Sequence, residues 1–206
     1  MNRITRIIRQ KGGRYRIELD SGLSFPLYRQ EMEAYHLEED TEIPDDIWEE
    51  ICSGILIKRA KKRSLYLLQK QDRTRMELRS RLLRDGYPEE LAEKAVAAME
   101  DYGYIDDKRY AEVYIRYRQD GMSRGALKRK LLEKGIERSL IDEAIDAVCE
   151  TDEAAIASAL LKKKHFDPET ADAKERQRMS AYLARRGFGF DLIRRLTDGG
   201  KRYTIE

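Results

Sequence analysis

Apolar and polar residues alternate along the first part of the chain. Residues 14–20 change character at every position, Leu23, Phe25 and Leu27 keep the same period of two, and a β-branched run covers residues 4–8. Glycine-containing turns separate these runs. The pattern predicts a three-stranded antiparallel β meander over residues 2–28, then a short helix over residues 30–37 and an acidic connector over residues 38–44.

From residue 46 onward the apolar spacing is helical, and one motif occurs three times. The motif is an apolar residue, a leucine four positions later and a glycine four positions after that. It is present as Leu78, Leu82 and Gly86, as Leu127, Leu131 and Gly135, and as Met179, Leu183 and Gly187. The copies are 49 and 52 residues apart. A period of this length predicts tandem units that bury their apolar faces by stacking.

Each unit is interpreted as three helices, with the glycine ending the middle helix in a left-handed conformation. The predicted first helices cover residues 47–69, 107–119 and 152–164, and the middle helices cover residues 73–84, 123–134 and 174–186. We expect a mainly α fold, in which three tandem three-helix repeats form a curved elongated rod behind a small N-terminal antiparallel β meander. The predicted domains are a β-rich extension (1–45), repeat 1 (46–105), repeat 2 (106–150), repeat 3 (151–199) and a tail (200–206).

Composition narrows the possible functions. Of the 206 residues, 39% are charged, yet the net charge is only +2. No apolar stretch is long enough to cross a bilayer, and the first ten residues lack the apolar core of a secretory signal, so we expect a cytoplasmic protein. Phosphate-binding glycine loops and nucleophile motifs are absent, and there are only two histidines and two cysteines. We therefore expect no enzymatic activity, no cofactor and no metal.

The near-neutral total conceals a strong sorting of charge. Each predicted middle helix carries a net charge of +4, whereas residues 88–101 and 137–150, which hold the third helices of repeats 1 and 2, carry −4 each. Stacked basic helices would form a stripe that attracts a polyanion. The alternative is that the basic helices are solvated faces paired with acidic neighbours in the same unit. Both interpretations stay open at this level.

Two further patterns have competing explanations. A helix, a glycine and a second helix are also found in helix-turn-helix proteins, but the helix that would enter the groove is acidic here, and phosphates would repel it. Tyr110, Tyr114 and Tyr117 share one predicted helix with several arginines, which suits stacking on unpaired bases. Aromatic residues at this spacing are more often part of a core between helices.

Three segments, read together, resemble the RecX family of bacterial recombination regulators. They are residues 72–87, residues 103–111 with their Gly-Tyr-Ile-Asp-Asp motif, and residues 128–136. The resemblance covers residues 58–150 most strongly and 151–199 more weakly, and the β-rich start is similar to the extension of longer members. Residues 123–126 lack a proline that the family often has at this helix start.

The resemblance implies a regulator without catalytic activity that binds the RecA recombinase and its filament on DNA. It also implies inhibition of filament growth, ATP hydrolysis, recombination and co-protease activity, and direct binding to single- and double-stranded DNA by a monomer. Under this hypothesis the basic helices contact the filament or DNA through Arg73, Arg75, Arg79, Arg81, Arg124, Lys128, Arg129, Lys130, Arg176 and Arg178. A stand-alone DNA-binding protein and a purely protein-binding helical scaffold are the alternatives.

Overall fold

The computed structural model describes residues 2–198 of the chain. The chain divides into two compact units, Met1–Asp106 and Asp107–Glu206. The first unit holds the N-terminal sheet and repeat 1, and the second holds repeats 2 and 3. The predicted tail over residues 200–206 lies outside the described residues.

The N-terminal sheet is antiparallel and contains the three predicted strands. These are β1 (Asn2–Arg9), β2 (Arg14–Leu19) and β3 (Ser24–Tyr28), and the short helix α1 (Arg29–Ala34) follows them. The period-two residues Ile4, Ile17, Phe25 and Leu27 are fully buried, because alternation places them on one face of the sheet. The β meander and the short helix are thereby confirmed.

The acidic connector contains a fourth strand, which its prediction did not include. Strand β4 (Glu42–Ile43) pairs with β1 and gives the strand order β3-β2-β1-β4. Ile43 is fully buried. A strand of two residues is too short to show alternation, so its pairing depends on tertiary contacts that no local pattern reveals.

The long first helix of repeat 1 contains a π-helical segment that the sequence did not suggest. Helix α2 (Asp45–Glu50) continues through a π-helix (Ile51–Leu56) into α3 (Ile57–Lys70). Ile51 and Leu56 are both fully buried although they are five residues apart. Residues at this separation point about 140° apart in an α-helix, and the wider π turn brings them closer to one side. The ring of Trp48 packs edge-on against Phe25 at 4.9 Å, which docks this helix onto the sheet.

Repeat 1 is completed by two further helices, α4 (Arg75–Arg84) and α5 (Glu89–Asp101). Leu78 and Leu82 on α4 are fully buried against Ala95 and Val96 on α5. Gly86 has a φ of +93°, which is the left-handed conformation predicted for the residue that ends the middle helix. Its freedom lets the chain turn directly from α4 into α5.

Repeats 2 and 3 reproduce this arrangement. Repeat 2 consists of α6 (Asp107–Arg118), α7 (Arg124–Glu133) and α8 (Arg138–Val148), and repeat 3 consists of α9 (Glu153–Lys163), α10 (Ala173–Arg185) and α11 (Phe190–Thr197). Each repeat encloses its own cluster of buried apolar side chains. The predicted mainly α fold with three three-helix repeats is confirmed, while the curvature of the rod stays a prediction.

Over residues 2–198, no helix combines the length and the apolar character that crossing a membrane requires.

Candidate polyanion-binding surface

Each middle helix begins at a polar side chain that caps its free backbone N–H groups. Thr74 accepts from Glu77 N at 3.2 Å, Ser123 accepts from Ala126 N at 3.0 Å, and Asp172 accepts from Glu175 N at 2.7 Å. Such caps fix where a helix starts and therefore which face each later residue occupies. Helix α10 is three residues longer than α4 and α7, which accounts for the change in repeat spacing from 49 to 52.

In repeat 1, two of the predicted basic residues, Arg75 and Arg79 on α4, form ion pairs with carboxylates on the acidic helix α5. Arg75 Nη2 lies 3.0 Å from Glu93 Oε2, and Arg75 Nε lies 3.3 Å from Glu100 Oε1. Arg79 forms ion pairs with both Glu89 and Glu93. The side chains of α4 therefore neutralise α5, as the alternative of paired solvated faces proposes.

Repeat 2 contains the counterpart of one of these pairs. Lys128 stands at the position of Arg79 and forms an ion pair with Asp142, which stands at the position of Glu93. In repeat 3 the same place on the middle helix holds Ser180, whose hydroxyl contacts Thr197 Oγ1 at 3.1 Å. The charge pairing between helices is thus a feature of repeats 1 and 2.

Three arginines stand eleven residues before the closing glycines but have different kinds of partner. Arg75 binds carboxylates, whereas Arg124 Nη2 donates to Cys149 O at 3.2 Å. Arg176 donates to Ala171 O at 3.1 Å and to Pro168 O at 2.9 Å. A carbonyl oxygen orients a guanidinium without cancelling its charge, so Arg124 and Arg176 keep their positive potential. The carboxylates that bind Arg75 largely cancel its charge.

Four of the remaining predicted residues are held by local acids or lie partly buried. Lys130 donates to Glu133 at 2.7 Å and thereby lowers the pKa of that carboxyl, and Arg178 lies 3.3 Å from Glu175. Arg81 Nε is 3.2 Å from Asp85 Oδ1 without the alignment of a hydrogen bond. The Nε of Arg73 is buried and has no hydrogen-bond partner within residues 2–198.

Arg129 leads from repeat 2 to a group of cations that the sequence did not single out. Its Nη2 donates to Arg185 O at 3.1 Å, which places it beside the end of α10. The guanidinium of Arg186 lies 4.9 Å from the centre of the Tyr182 ring, and the ammonium of Lys164 lies 5.6 Å from it. We call Arg129, Lys164, Arg185 and Arg186 the C-terminal cation cluster.

No member of the C-terminal cation cluster forms an ion pair with a carboxylate in the part of the chain that the structure describes. Arg185 lies in the last turn of α10, and Arg186 and Lys164 directly follow α10 and α9, where cations are favoured by the helix dipole. Tyr182 and Arg186 stand four residues apart on one helical face, and this spacing is the signal from which the cluster could have been found.

The predicted tyrosine helix divides between core and surface. Tyr110 and Tyr114 pack against the repeat 2 core, in agreement with the core interpretation. The ammonium of Lys134 lies 5.3 Å from the Tyr110 ring. Tyr117 is 84% exposed, so it alone of the three is available to stack on a ligand.

The position of the cluster depends on a close contact between repeats 2 and 3. Gly125, in the first turn of α7, lies directly against the backbone of Gly187, and a Cβ on Gly125 would overlap the Gly187 carbonyl oxygen. Ser123 Oγ donates to Arg186 O at 2.7 Å across the same junction. The missing side chain at Gly125 therefore lets α7 approach the end of α10, and Arg129 comes to lie beside Arg185.

The fold and its cations define a class of protein built from tandem three-helix repeats with a partly neutralised basic surface. Comparison with known families identifies the same repeats. Three family models match in chain order: "RecX, first three-helix domain" over residues 60–98, "RecX, second three-helix domain" over residues 106–145 and "RecX, third three-helix domain" over residues 150–197.

Similarity to curated relatives extends beyond the repeats. The Regulatory protein RecX of Clostridium acetobutylicum is 29% identical over 199 residues, which is 93% of each chain. The Regulatory protein RecX of Trichlorobacter lovleyi is 35% identical over 138 residues, covering 65% of this chain and 90% of that one. The chain belongs to the RecX family of regulatory proteins.

Solved structures share the architecture. A solved structure described as "Crystal structure of regulatory protein RecX" aligns with this protein with a TM-score of 0.63 at 27% identity. The alignment covers 97% of this chain and 100% of the solved chain. RecX from Lactobacillus salivarius aligns with a TM-score of 0.56 at 23% identity, covering 70% of this chain and 96% of that chain, and supports the fold alone.

Proposed function

We propose that this protein binds the RecA recombinase on its DNA filament and mainly inhibits filament growth, ATP hydrolysis, recombination and co-protease activity. It would thereby regulate DNA repair and the SOS response. The observation that carries the proposal is the match to RecX regulatory proteins over 93% of the chain, which includes all three repeats in order. In this proposal the protein regulates RecA by binding to the filament, and this binding requires no catalytic residue.

The ten predicted basic residues take two roles in this proposal. Arg75, Arg79 and Lys128 hold their repeats together through ion pairs. Arg124, Arg129 and Arg176 keep their charge for the filament, together with the C-terminal cation cluster. Arg81, Lys130 and Arg178 remain candidate contacts whose charge a nearby carboxylate partly offsets. Arg73 remains a candidate contact whose Nε is buried. The partners of these side chains support this division. The residues in the first group bind carboxylates, whereas Arg124, Arg129 and Arg176 donate to backbone carbonyl oxygens.

The repeats would contact the filament together. Linked sites raise the effective concentration of one another, so several weak contacts bind strongly without any single dominant site. Each phosphate neutralised by a cation also releases counterions, which makes DNA affinity depend on salt.

The test is ATP hydrolysis by RecA on single-stranded DNA, titrated with this protein at two salt concentrations. Inhibition at amounts well below one protein per RecA supports a regulator that acts on the filament. Inhibition that begins only when the DNA itself is saturated contradicts the proposal and favours the stand-alone DNA-binding alternative. Salt-insensitive binding to RecA without DNA would favour the protein-binding scaffold.

A matched pair of double variants tests the C-terminal cation cluster. Arg185→Glu with Arg186→Glu reverses two charges in the cluster, and Arg9→Glu with Lys11→Glu makes the same charge change at exposed residues of the N-terminal sheet. We expect the first variant to lose about tenfold or more in filament affinity and the second to lose little. Equal losses would show that only total charge matters and would exclude a role for the cluster.

A further inference from the structure

The first unit contains a cleft of about 760 Å³ that the proposed RecA contact does not use. Its apolar lining comes from three parts of the unit: Leu23 before β3, Trp48 and Ile57 on the first long helix, and Pro88 and Leu91 at the start of α5. Leu91 and Pro88 are buried, whereas Leu23 is 39% exposed, so the apolar surface extends from the interior to the opening. This volume is in the range of sites that bind small ligands or a few side chains.

The rim of the cleft is acidic on two different helices. Glu49 lies on α2, and Glu89 and Glu90 lie in the first turn of α5. Among the residues that the structure describes, Lys94 is the one cation that lines the cleft, and its ammonium donates to Glu90 at 2.6 Å. Arg79 pairs with Glu89 from outside the lining, while the Glu49 carboxylate has no ion pair or hydrogen bond within residues 2–198.

The thiol in the cleft wall behaves as an apolar group. Burial, together with the neighbouring Glu90 carboxylate and against an opposing effect of Lys94, raises the pKa of Cys52 to about 11. Cys52 is therefore uncharged at neutral pH and adds neither a nucleophile nor a metal ligand. It belongs to the π-helix (Ile51–Leu56), and π turns within helices often coincide with binding sites.

We propose that this cleft binds a segment of a partner protein in which an apolar side chain is flanked by lysine or arginine. The apolar side chain would fill the space between Trp48, Ile57 and Leu91. Its cationic neighbours would face Glu49 on one helix and Glu89 and Glu90 on the other. Charge complementarity selects this occupant, because Glu49, Glu89 and Glu90 outnumber Lys94 in the lining and repel acidic segments.

Trp48 provides a specific signal for the test, because it is the only tryptophan of the chain. The probes are tryptophan-free peptides of about twelve residues with a Leu-Phe centre flanked by lysines, made in a helix-forming and a proline-containing version. The control peptides carry glutamate in place of every lysine. We expect a saturable change in Trp48 emission with at least one lysine peptide, weakened by added salt, and no change with the glutamate peptides.

Two variants with the same charge change locate the binding. Glu49→Lys reverses the unpaired carboxylate at the rim, and Glu42→Lys reverses an exposed carboxylate on β4 away from the lining. We expect Glu49→Lys to weaken peptide binding about tenfold and Glu42→Lys to leave it within about twofold. Circular dichroism verifies that both variants keep their helical content.

Three results would overturn the proposal. They are an unchanged Trp48 emission with every lysine peptide up to about 1 mM, equal binding by the Glu49→Lys variant, and a Trp48 signal that changes on dilution of the protein alone. The last result would identify a second copy of the chain as the occupant. None of these measurements contains RecA or DNA, so the cleft proposal and the proposed function can fail independently.

Discussion

Gly125 illustrates how one missing side chain sets the geometry of a surface. The residue lies in the first turn of α7, where alanine is normally more favourable than glycine by about 1 kcal/mol. Its backbone lies against Gly187, whose φ of +83° is itself suited to glycine, and a Cβ on Gly187 would lie 2.7 Å from Ala126 N. Helix propensity and packing therefore predict opposite effects of adding a methyl group.

The substitution Gly125→Ala tests which effect is larger. We expect it to lower the free energy of unfolding by about 1–3 kcal/mol, because the backbone of Gly187 has little freedom to move away. Urea denaturation measures this change. Gly121→Ala is the control, since a Cβ at Gly121 meets no atom within 4 Å. A Gly125→Ala protein more stable than the original would show that the two repeats separate without cost.

Cys52 gives a second prediction for a single residue. Its pKa is raised from the 9.0 of a free thiol to about 11 by burial and by Glu90. At pH 8 the thiolate fraction should be lower by about a hundredfold, and alkylation by iodoacetamide should be slowed accordingly. Mass spectrometry of the labelled peptides separates Cys52 from Cys149. A rate equal to that of glutathione would contradict the buried environment.

The same shift of the Cys52 pKa affects stability at high pH. The folded-state pKa is above the unfolded value, so the contribution of the thiol is complete below about pH 9 and is lost as the pH rises through about 11. Burial also raises the pKa of Tyr87, which acts in the same direction.

At the scale of elements, ion pairs join the basic middle helix to the acidic third helix in repeats 1 and 2. In repeat 2, Lys128 on α7 and Asp142 on α8 form the pair that corresponds to Arg79 and Glu93 in repeat 1. The pairing holds the basic helix against the acidic one. Reversing such a charge should therefore cost stability before it affects binding.

A charge exchange tests this role. Lys128→Glu should lower the free energy of unfolding by about 0.5–1 kcal/mol, because it places two carboxylates together on a partly exposed surface. The double variant Lys128→Glu with Asp142→Lys should recover more than half of the loss, as measured by urea denaturation. Failure of the exchange to restore stability would mean that the pair contributes nothing beyond its separate side chains.

The helices could be predicted from sequence because their signals are local. Leucines four residues apart and a left-handed Gly86 lie within one helix and its turn, so a short window of sequence contains them. The cap at Thr74 is missed, because the predicted helix begins at residue 73. Strand β4 and the π-helix (Ile51–Leu56) could not be predicted, because each depends on partners from distant parts of the fold. Local sequence patterns therefore predict the positions of the helices and of the three longer strands, but they do not predict a two-residue strand or a π-helical segment.

The candidate surface was only partly predictable for the same reason. The sequence shows that Arg75 and Arg124 occupy equivalent positions, but it does not show that one meets a carboxylate and the other a carbonyl oxygen. Arg129 lies beside Arg185 because α7 packs against the end of α10, and the sequence does not show this packing. Charge can be counted from sequence, whereas neutralisation depends on which helices pack together.

At the scale of the whole molecule, the chain divides into two compact units with separate hydrophobic clusters. The sheet shares a core with the first long helix, and each of repeats 2 and 3 encloses its own core. Regions with separate cores can open independently of one another. A local defect in one unit should therefore leave the other protected.

Hydrogen exchange on the Gly125→Ala variant tests this independence. We expect faster amide exchange in repeats 2 and 3, where the junction is disturbed, and unchanged exchange over residues 2–106. Mass spectrometry of peptides from the labelled protein resolves the two regions. An equal increase in both units would indicate that the whole chain unfolds as one cooperative structure.

The contact between Gly125 and Gly187 also restricts how such a chain can change in evolution. Ten residues before its closing glycine, repeat 2 has Gly125, whereas repeat 1 has Met76 and repeat 3 has Gln177. A copy of repeat 1 or repeat 3 in the place of repeat 2 would put a bulky side chain where the Gly187 turn requires bare backbone. The three repeats share a sequence pattern, but repeat 2 is not interchangeable with the other two. Its place before repeat 3 depends on the absence of a side chain at Gly125.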